Sequence, residues 1–315
     1  MPVDRLLISL SKLRELDLTA AASAGRPPHL SAASGLVRAG RFLYVVADDE
    51  LHLGVFRSTD AQAGQLIRLF EGALPAAAPE RKARKPDLEA LTLLPSFAGY
   101  PYGALLALGS GSKRNRRMGA LLALDAQGEA GDTSHVCDLS GMFAVLEDRF
   151  TALNIEGAVV IGDELCLLQR GNRRTVHNAV VRFHLSALLD SLGSGLAIVP
   201  SAIHGIDLGE VNGVPLCFTD AAALPNGEFV FAAVSEDTED AYNDGPCTGA
   251  AIGIADREGR LRCLYQLDRP HKIEGVDARV EGDVIRLLLV TDADNPAIPA
   301  CLYSATIPYR METRP

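Results

Sequence analysis

The stretch "HKIEGVDARVEGDVIRLLLVTDADNP", residues 271–296, repeats the plan of "LNIEGAVVIGDELCLLQRGN", residues 153–172. Each carries Ile-Glu-Gly, an alternating apolar run, a polar break, a second apolar run and a polar or charged cluster. Alternation with a period of two marks β-strands, and the polar breaks mark tight turns between them. "SGLVRAGRFLYVVADD" from residue 34 aligns without a gap to "EGAVVIGDELCLLQRG" from residue 156. Copies beginning at Glu89 and Thr219 align with each other through a shared Leu-Pro, at Pro95 and Pro225.

The five anchors, Ser34, Glu89, Glu156, Thr219 and Glu274, lie 55 to 67 residues apart. That spacing is one propeller blade of roughly 40–50 residues plus insertions. Four strand-like runs follow most anchors. After Glu156 they are "GAVVIG", "ELCLLQ", "NAVVRFHL" and "LAIVPSAI"; after Thr219 they are "AAAL", "EFVFAAV", "GAAIGIAD" and "LRCLYQL". The last unit has only three, "GVDARV", "VIRLLLV" and "CLYSATI", whereas "LRELDL" at residues 13–18 has no unit of its own. Pairing the two completes the fifth blade and closes the ring without a free sheet edge. The sequence therefore predicts an all-β fold, one five-bladed β-propeller over residues 1–315, with blades starting near 34, 89, 156, 219 and 274. An all-β sandwich pair is the alternative, and it leaves the recurring anchor unexplained. Short helices are expected at "GMFAVLEDRF" and "LSALLDSL", and "ALPAAAPERKARKP", residues 73–86, reads as a solvated loop.

Composition narrows the function. The net charge of −10 disfavours nucleic-acid polymers as partners. No run approaches the roughly 18 apolar residues of a membrane span, and charges interrupt the N-terminus where a signal peptide is apolar, so a soluble cytoplasmic protein is expected. The six cysteines form no C-x-x-C pair and several lie in apolar runs, as buried free thiols do in a reducing compartment. Oligomeric state leaves no trace in the sequence.

The first strand of each propeller blade lines the central channel, so the five anchors should converge near the axis. Three carboxylates brought together there repel one another unless protons or a cation intervene. A hard cation with oxygen ligands answers this, Ca²⁺ ahead of Mg²⁺ because a ring accommodates six to eight oxygens. The expected metal ligands are Ser34, Glu89, Glu156, Thr219 and Glu274, with Asp220 an alternative to Thr219 in blade four. At the rim, the loops after the second strands place Lys113, Arg114, Arg116 and Arg117 in blade two, and Arg170, Asn172, Arg173 and Arg174 in blade three. Asp48 and Asp49, Glu236, Asp237, Glu239 and Asp240, and Asp292, Asp294 and Asn295 come from the other three blades. One half of the rim is expected to be basic and the other acidic. A basic arc beside a cation suits phosphate, with Lys113, Arg114 and Arg170 holding it and Asp48 or Asp49 orienting water.

The order Ser, Glu, Glu, hydroxyl, Glu, carried by "SGLVRAGRFLYVVADD", "NIEGAVVIGDELCLLQRGN", "FTDAAALPNGEFVFAAVSED" and "KIEGVDARV", resembles the calcium-activated nucleotidases, or apyrases. More distantly the chain is similar to the esterase-like phytase propellers. The nucleotidase resemblance implies one Ca²⁺ in the channel, acidic residues after the second strand of blade one, as at Asp48 and Asp49, and an arginine in blade three, as at Arg170. Together these readings give a Ca²⁺-dependent hydrolase of a small phosphorylated molecule. Two rivals stay open: a non-catalytic propeller whose structural ion supports binding of a small polar ligand or a protein, and an esterase or lactonase.

Overall fold

The computed structural model describes residues 5–172, 178–192, 194–238 and 245–309. Five sheets, each built on four antiparallel strands, follow one another along the chain. Blade one is built from Ala33–Ala39, Phe42–Ala47, His52–Arg57 and Gln65–Arg68, and blade two from Leu88–Leu94, Ala104–Gly109, Met118–Leu124 and Ala130–Asp138. Blade three comprises Ile155–Ile161, Glu164–Gln169, Asn178–His184 and Ala202–Ile206, and blade four Cys217–Ala223, Glu228–Glu236, Cys247–Asp256 and Leu261–Leu267. Blade five takes Ile273–Glu281, Val284–Thr291 and Cys301–Pro308 from the end of the chain and Ser11–Glu15 from its beginning. Each first strand touches the first strands of the blades on either side, and the fifth touches the first, so the ring is closed. The predicted five-bladed propeller is the observed fold.

The second strands explain why the sequence writes such continuous apolar runs. Phe42–Ala47, Ala104–Gly109 and Glu164–Gln169 are buried along their whole length, because both faces of each blade pack against neighbouring blades. The core accordingly divides into five clusters, one in each gap between adjacent blades. Helices form at Ser140–Glu147 and Leu185–Ser191, as expected. All six cysteines are free thiols. No helix among the described residues is long and apolar enough to cross a membrane.

Three boundaries differ from the sequence reading. The closing strand is Ser11–Glu15, paired antiparallel with Cys301–Pro308; beyond it Leu16 N–H still donates to Ala300 O at 2.9 Å, while Asp17 and Leu18 bridge to His29 and Gly64. An additional strand, Arg5–Ile8, pairs parallel to Leu261–Leu267 as a fifth strand of blade four. The outer strand of blade three is Ala202–Ile206, beginning beyond Pro200, which offers no backbone N–H to a ladder.

Candidate functional site

Every anchor occupies a β-bulge. In blade one the pairing runs Ala33↔Ala47 and then Gly35↔Val46, so Ser34 has no opposite residue. The same skip falls at Glu89, Glu156, Thr219 and Glu274. A bulge turns its extra side chain out of the ladder's alternation. The recurrence seen in the sequence is therefore one backbone device repeated five times.

A second recurrence lies two residues before each anchor, at Ala32, Asp87, Asn154, Cys217 and Lys272. In four blades the residue just after the second strand donates its N–H to the carbonyl at this position: Asp48 to Ala32 at 3.1 Å, Ser110 to Asp87 at 2.9 Å, Arg170 to Asn154 at 2.9 Å, and Asp292 to Lys272 at 3.1 Å. Six of these eight residues, Ala32, Asp48, Asp87, Asn154, Arg170 and Asp292, line a cavity of about 280 Å³ at the channel mouth. Glu89 and Glu156 line it, as do Asp48, Asp49 and Arg170, whereas Ser34, Thr219, Asp220 and Glu274 are not among its lining residues.

The cavity's charges alternate around the rim; they are not sorted into a basic and an acidic half. Arg170 Nη1 lies 3.2 Å from Glu156 Oε2, and its Nη2 contacts Glu236. Burial opposes its charge, but Glu156, Glu236 and Glu274 outweigh burial and hold the guanidinium well above its ordinary pKa. Lys272 Nζ stands 2.6 Å from Asp294, 3.3 Å from Asp292 and 3.2 Å from Glu236. Burial pushes Asp292 up to about 7, Lys272 opposing and Asp294 adding to the shift. Burial is also the largest cause of the upward shift of Asp49, which Arg26 at 2.5 Å opposes. Glu50 is buried yet falls below its ordinary value, because His52, Arg81 and Arg26 surround it.

Next to these pairs, the carboxylate oxygens of Asp48, Asp87 and Glu89 lie within 4.8 Å of one another, a grouping able to hold a metal ion. Asp87 adopts a left-handed backbone, φ 58°, which is uncommon outside glycine and is held here by its side chain. Arg116 Nη1 and Ser110 Oγ both donate to Asp87 Oδ2 at 2.6 Å, and Lys85 Nζ is 2.8 Å from its Oδ1. Lys85 also contacts Asp48.

Several candidates sit elsewhere. Lys113 and Arg114 are exposed at a single 3-10 turn, Arg114–Arg116, and it is Arg116 from that turn that reaches the cavity. Thr219 Oγ1 donates to Ile273 O at 2.8 Å, tying blade four to blade five. Asp220 faces backbone, accepting from Val276 N–H at 2.9 Å and Leu36 N–H at 3.5 Å. Arg173, Arg174, Glu239 and Asp240 lie outside the described residues. The basic stretch read as a solvated loop folds instead into a helix, Ala78–Arg84, that delivers buried Arg81 and Lys85 to the cavity. Sequence reasoning missed Arg26, Arg81, Lys85, Asp87 and Lys272. For Asp87 and Lys272 a signal existed, the fixed offset of two residues before an anchor.

Fold and site together define a closed five-bladed propeller with a charge-lined cavity at one mouth of its channel. The model of a family of unknown function, DUF6929, matches residues 29–307, and the chain belongs to that family. No curated protein matches it. Among solved structures it is similar to a putative glycoside hydrolase from Parabacteroides distasonis, at 11% identity and TM-score 0.47 over 95% of this chain and 97% of that one. It is also similar to an α-L-arabinanase from Cellvibrio cellulosa complexed with arabinohexaose, at 13% and 0.47 over 90% and 95%. A luciferin-regenerating enzyme matches at 10% and 0.45 over 97% and 96%. The nucleotidase resemblance rests on the sequence motifs alone.

Proposed function

We propose that the protein is a divalent-cation-dependent hydrolase of a small phosphorylated molecule, with the cation seated by Asp48, Asp87 and Glu89. The observation that carries this reading is the approach of three carboxylates to within 4.8 Å at the wall of a closed-ring cavity. Their donors are all oxygen, which suits a hard cation and makes Ca²⁺ the first candidate. When bound, the cation would supply Lewis-acid polarisation of a phosphoryl oxygen. The chain's own contribution is positional. Arg81, Lys82 and Arg116 bring positive charge to the wall that carries the three acids, as recognition of an anionic group requires. Asp292 on the same cavity, at about 7, is the side chain poised to exchange a proton near neutrality.

One observation favours a second reading, a propeller that binds a polar ligand without turnover: Lys85 already bridges Asp48 and Asp87, and a cation must displace its ammonium. A panel of phosphomonoesters, diesters and anhydrides, assayed with Ca²⁺, Mg²⁺ or Mn²⁺ and with EDTA, separates the two. The hydrolase reading expects phosphate release that requires a cation and falls by at least about 100-fold in Asp87→Asn. Turnover that ignores EDTA, or none with any cation, removes it.

A further inference from the structure

We propose that the centre of the anchor ring is neutralised by two of the chain's own side chains, Arg170 and Lys272, and is not a metal seat. The nucleotidase resemblance implies a Ca²⁺ held by the anchors, so the geometry at the anchors is the test of fit. Glu156, Glu236 and Glu274 are each only 5% exposed and come from blades three, four and five. Arg170 lies between Glu156 and Glu236, with Nη1 3.2 Å from Glu156 Oε2 and Nη2 in contact with Glu236 Oε2. Lys272 Nζ is 3.2 Å from the other oxygen of Glu236 and 3.9 Å from Glu274 Oε1. A chain of alternating charge, Glu156, Arg170, Glu236, Lys272, Glu274, thus crosses three blades.

Three further oxygens at the ring have partners within the chain. Asn154 donates to the second oxygen of Glu156. The Thr219 hydroxyl is turned to the carbonyl of Ile273, and Ser34 Oγ to that of Ala32 at 3.2 Å. A Ca²⁺ needs six to eight oxygens facing it. Here two oxygens of the ring carboxylates face a guanidinium and two face an ammonium, and an ion placed among them would be repelled by both. The hub is then a clasp across blades three to five, and cation binding is left to Asp48, Asp87 and Glu89 at the junction of blades one and two.

This inference does not depend on the hydrolase reading, and its test keeps them apart. Crystals of the wild-type chain grown with Ca²⁺ and then soaked in Tb³⁺ should give no anomalous peak among Glu156, Glu236 and Glu274. A peak there overturns the proposal, whereas one at Asp48, Asp87 and Glu89 concerns only the hydrolase reading. In solution, Asp87→Asn protein, crippled at the other site, should melt at the same temperature in EGTA and in Ca²⁺; a loss of stability in EGTA overturns the clasp. Adding Lys272→Met to Asp87→Asn should lower the melting temperature and create a Ca²⁺ response of at least ~3 °C, absent from Lys272→Arg. A folded Lys272→Met protein without that response also counts against it, and if that variant does not fold, the crystal and EGTA measurements decide.

Discussion

Ile-Glu-Gly recurs because two demands fall on adjacent residues: the glutamate fills a bulge and the glycine lets neighbouring first strands touch. A Cβ added at Gly157 would lie 2.9 Å from Asp220 Cα, and one at Gly275 would lie 2.9 Å from Leu36 N. Both obstacles are backbone atoms, which cannot rotate aside. Gly157→Ala and Gly275→Ala should each cost about 1–3 kcal/mol in urea denaturation; unchanged midpoints would show that the ring is looser than described. Blade four places Asp220 at the same position, fully buried, with Oδ2 accepting from the first strands of blades five and one. Burial, the largest cause, pushes its pKa well up, against the backbone N–H groups of Val276, Ala221 and Leu36. Asp220→Asn, which preserves that acceptor, should then cost less than about 1 kcal/mol, and Asp220→Ala, which strands two N–H groups, about 1–3 kcal/mol. Equal losses for both variants would refute the acceptor role of Oδ2.

At the scale of elements, closure depends on a five-residue strand. Ser11–Glu15 pairs along Cys301–Pro308, and Arg14 extends from it to blade one, donating to Gln62 O at 2.5 Å and Asp60 O at 3.1 Å while lying 5.3 Å from the Phe56 ring centre. Leu16 follows, 1% exposed in the cluster between blades five and one. Removing residues 1–16 strips these hydrogen bonds and uncovers both that cluster and a sheet edge. The expected loss is at least about 5 kcal/mol, taking roughly 1 kcal/mol per hydrogen bond and 2 for the leucine, with aggregation through the freed edge. A truncated chain that melts like the full one would mean that the ring closes without its clasp. This closure was legible in the sequence because a strand without a blade and a blade lacking a strand are both visible in alternation. The helix Ala78–Arg84 was not. Its run of basic residues reads as solvated, and of the acids that permit Arg81 and Lys85 to be buried only Asp87 is adjacent in sequence; Asp48, Asp49 and Glu50 belong to a segment that spacing does not connect. The anchors were legible through shared chemistry at a shared position. The positions two residues earlier carried only the fixed offset as a signal, because Ala32, Asp87, Asn154, Cys217 and Lys272 share no chemistry.

For the whole molecule, the acids drawn into the ring set the pH dependence of stability. Asp49, Asp220, Glu274, Asp277 and Asp292 are all displaced upward, burial being the largest cause in each. A carboxyl raised on folding keeps its proton in the native state after the unfolded chain has lost it. Its contribution to stability is complete below the unfolded value near 4 and is lost as pH rises through the folded one. For Asp292 that window runs from about 4 to about 7. Asp292→Asn never ionises, so it removes one group's share of the decline and leaves the other four acids in place. Denaturation at pH 4.5, 6.0 and 7.5 should therefore show the variant gaining on the wild type as pH rises, by at most about 1.4 kcal/mol per pH unit, and level with pH above 7. The lost contact with Lys272 shifts the variant's curve down without changing this slope, since Glu236 and Asp294 still hold that ammonium. Parallel curves across the window would mean that Asp292 ionises at its ordinary value and that solvent reaches the cavity wall more freely than its burial implies.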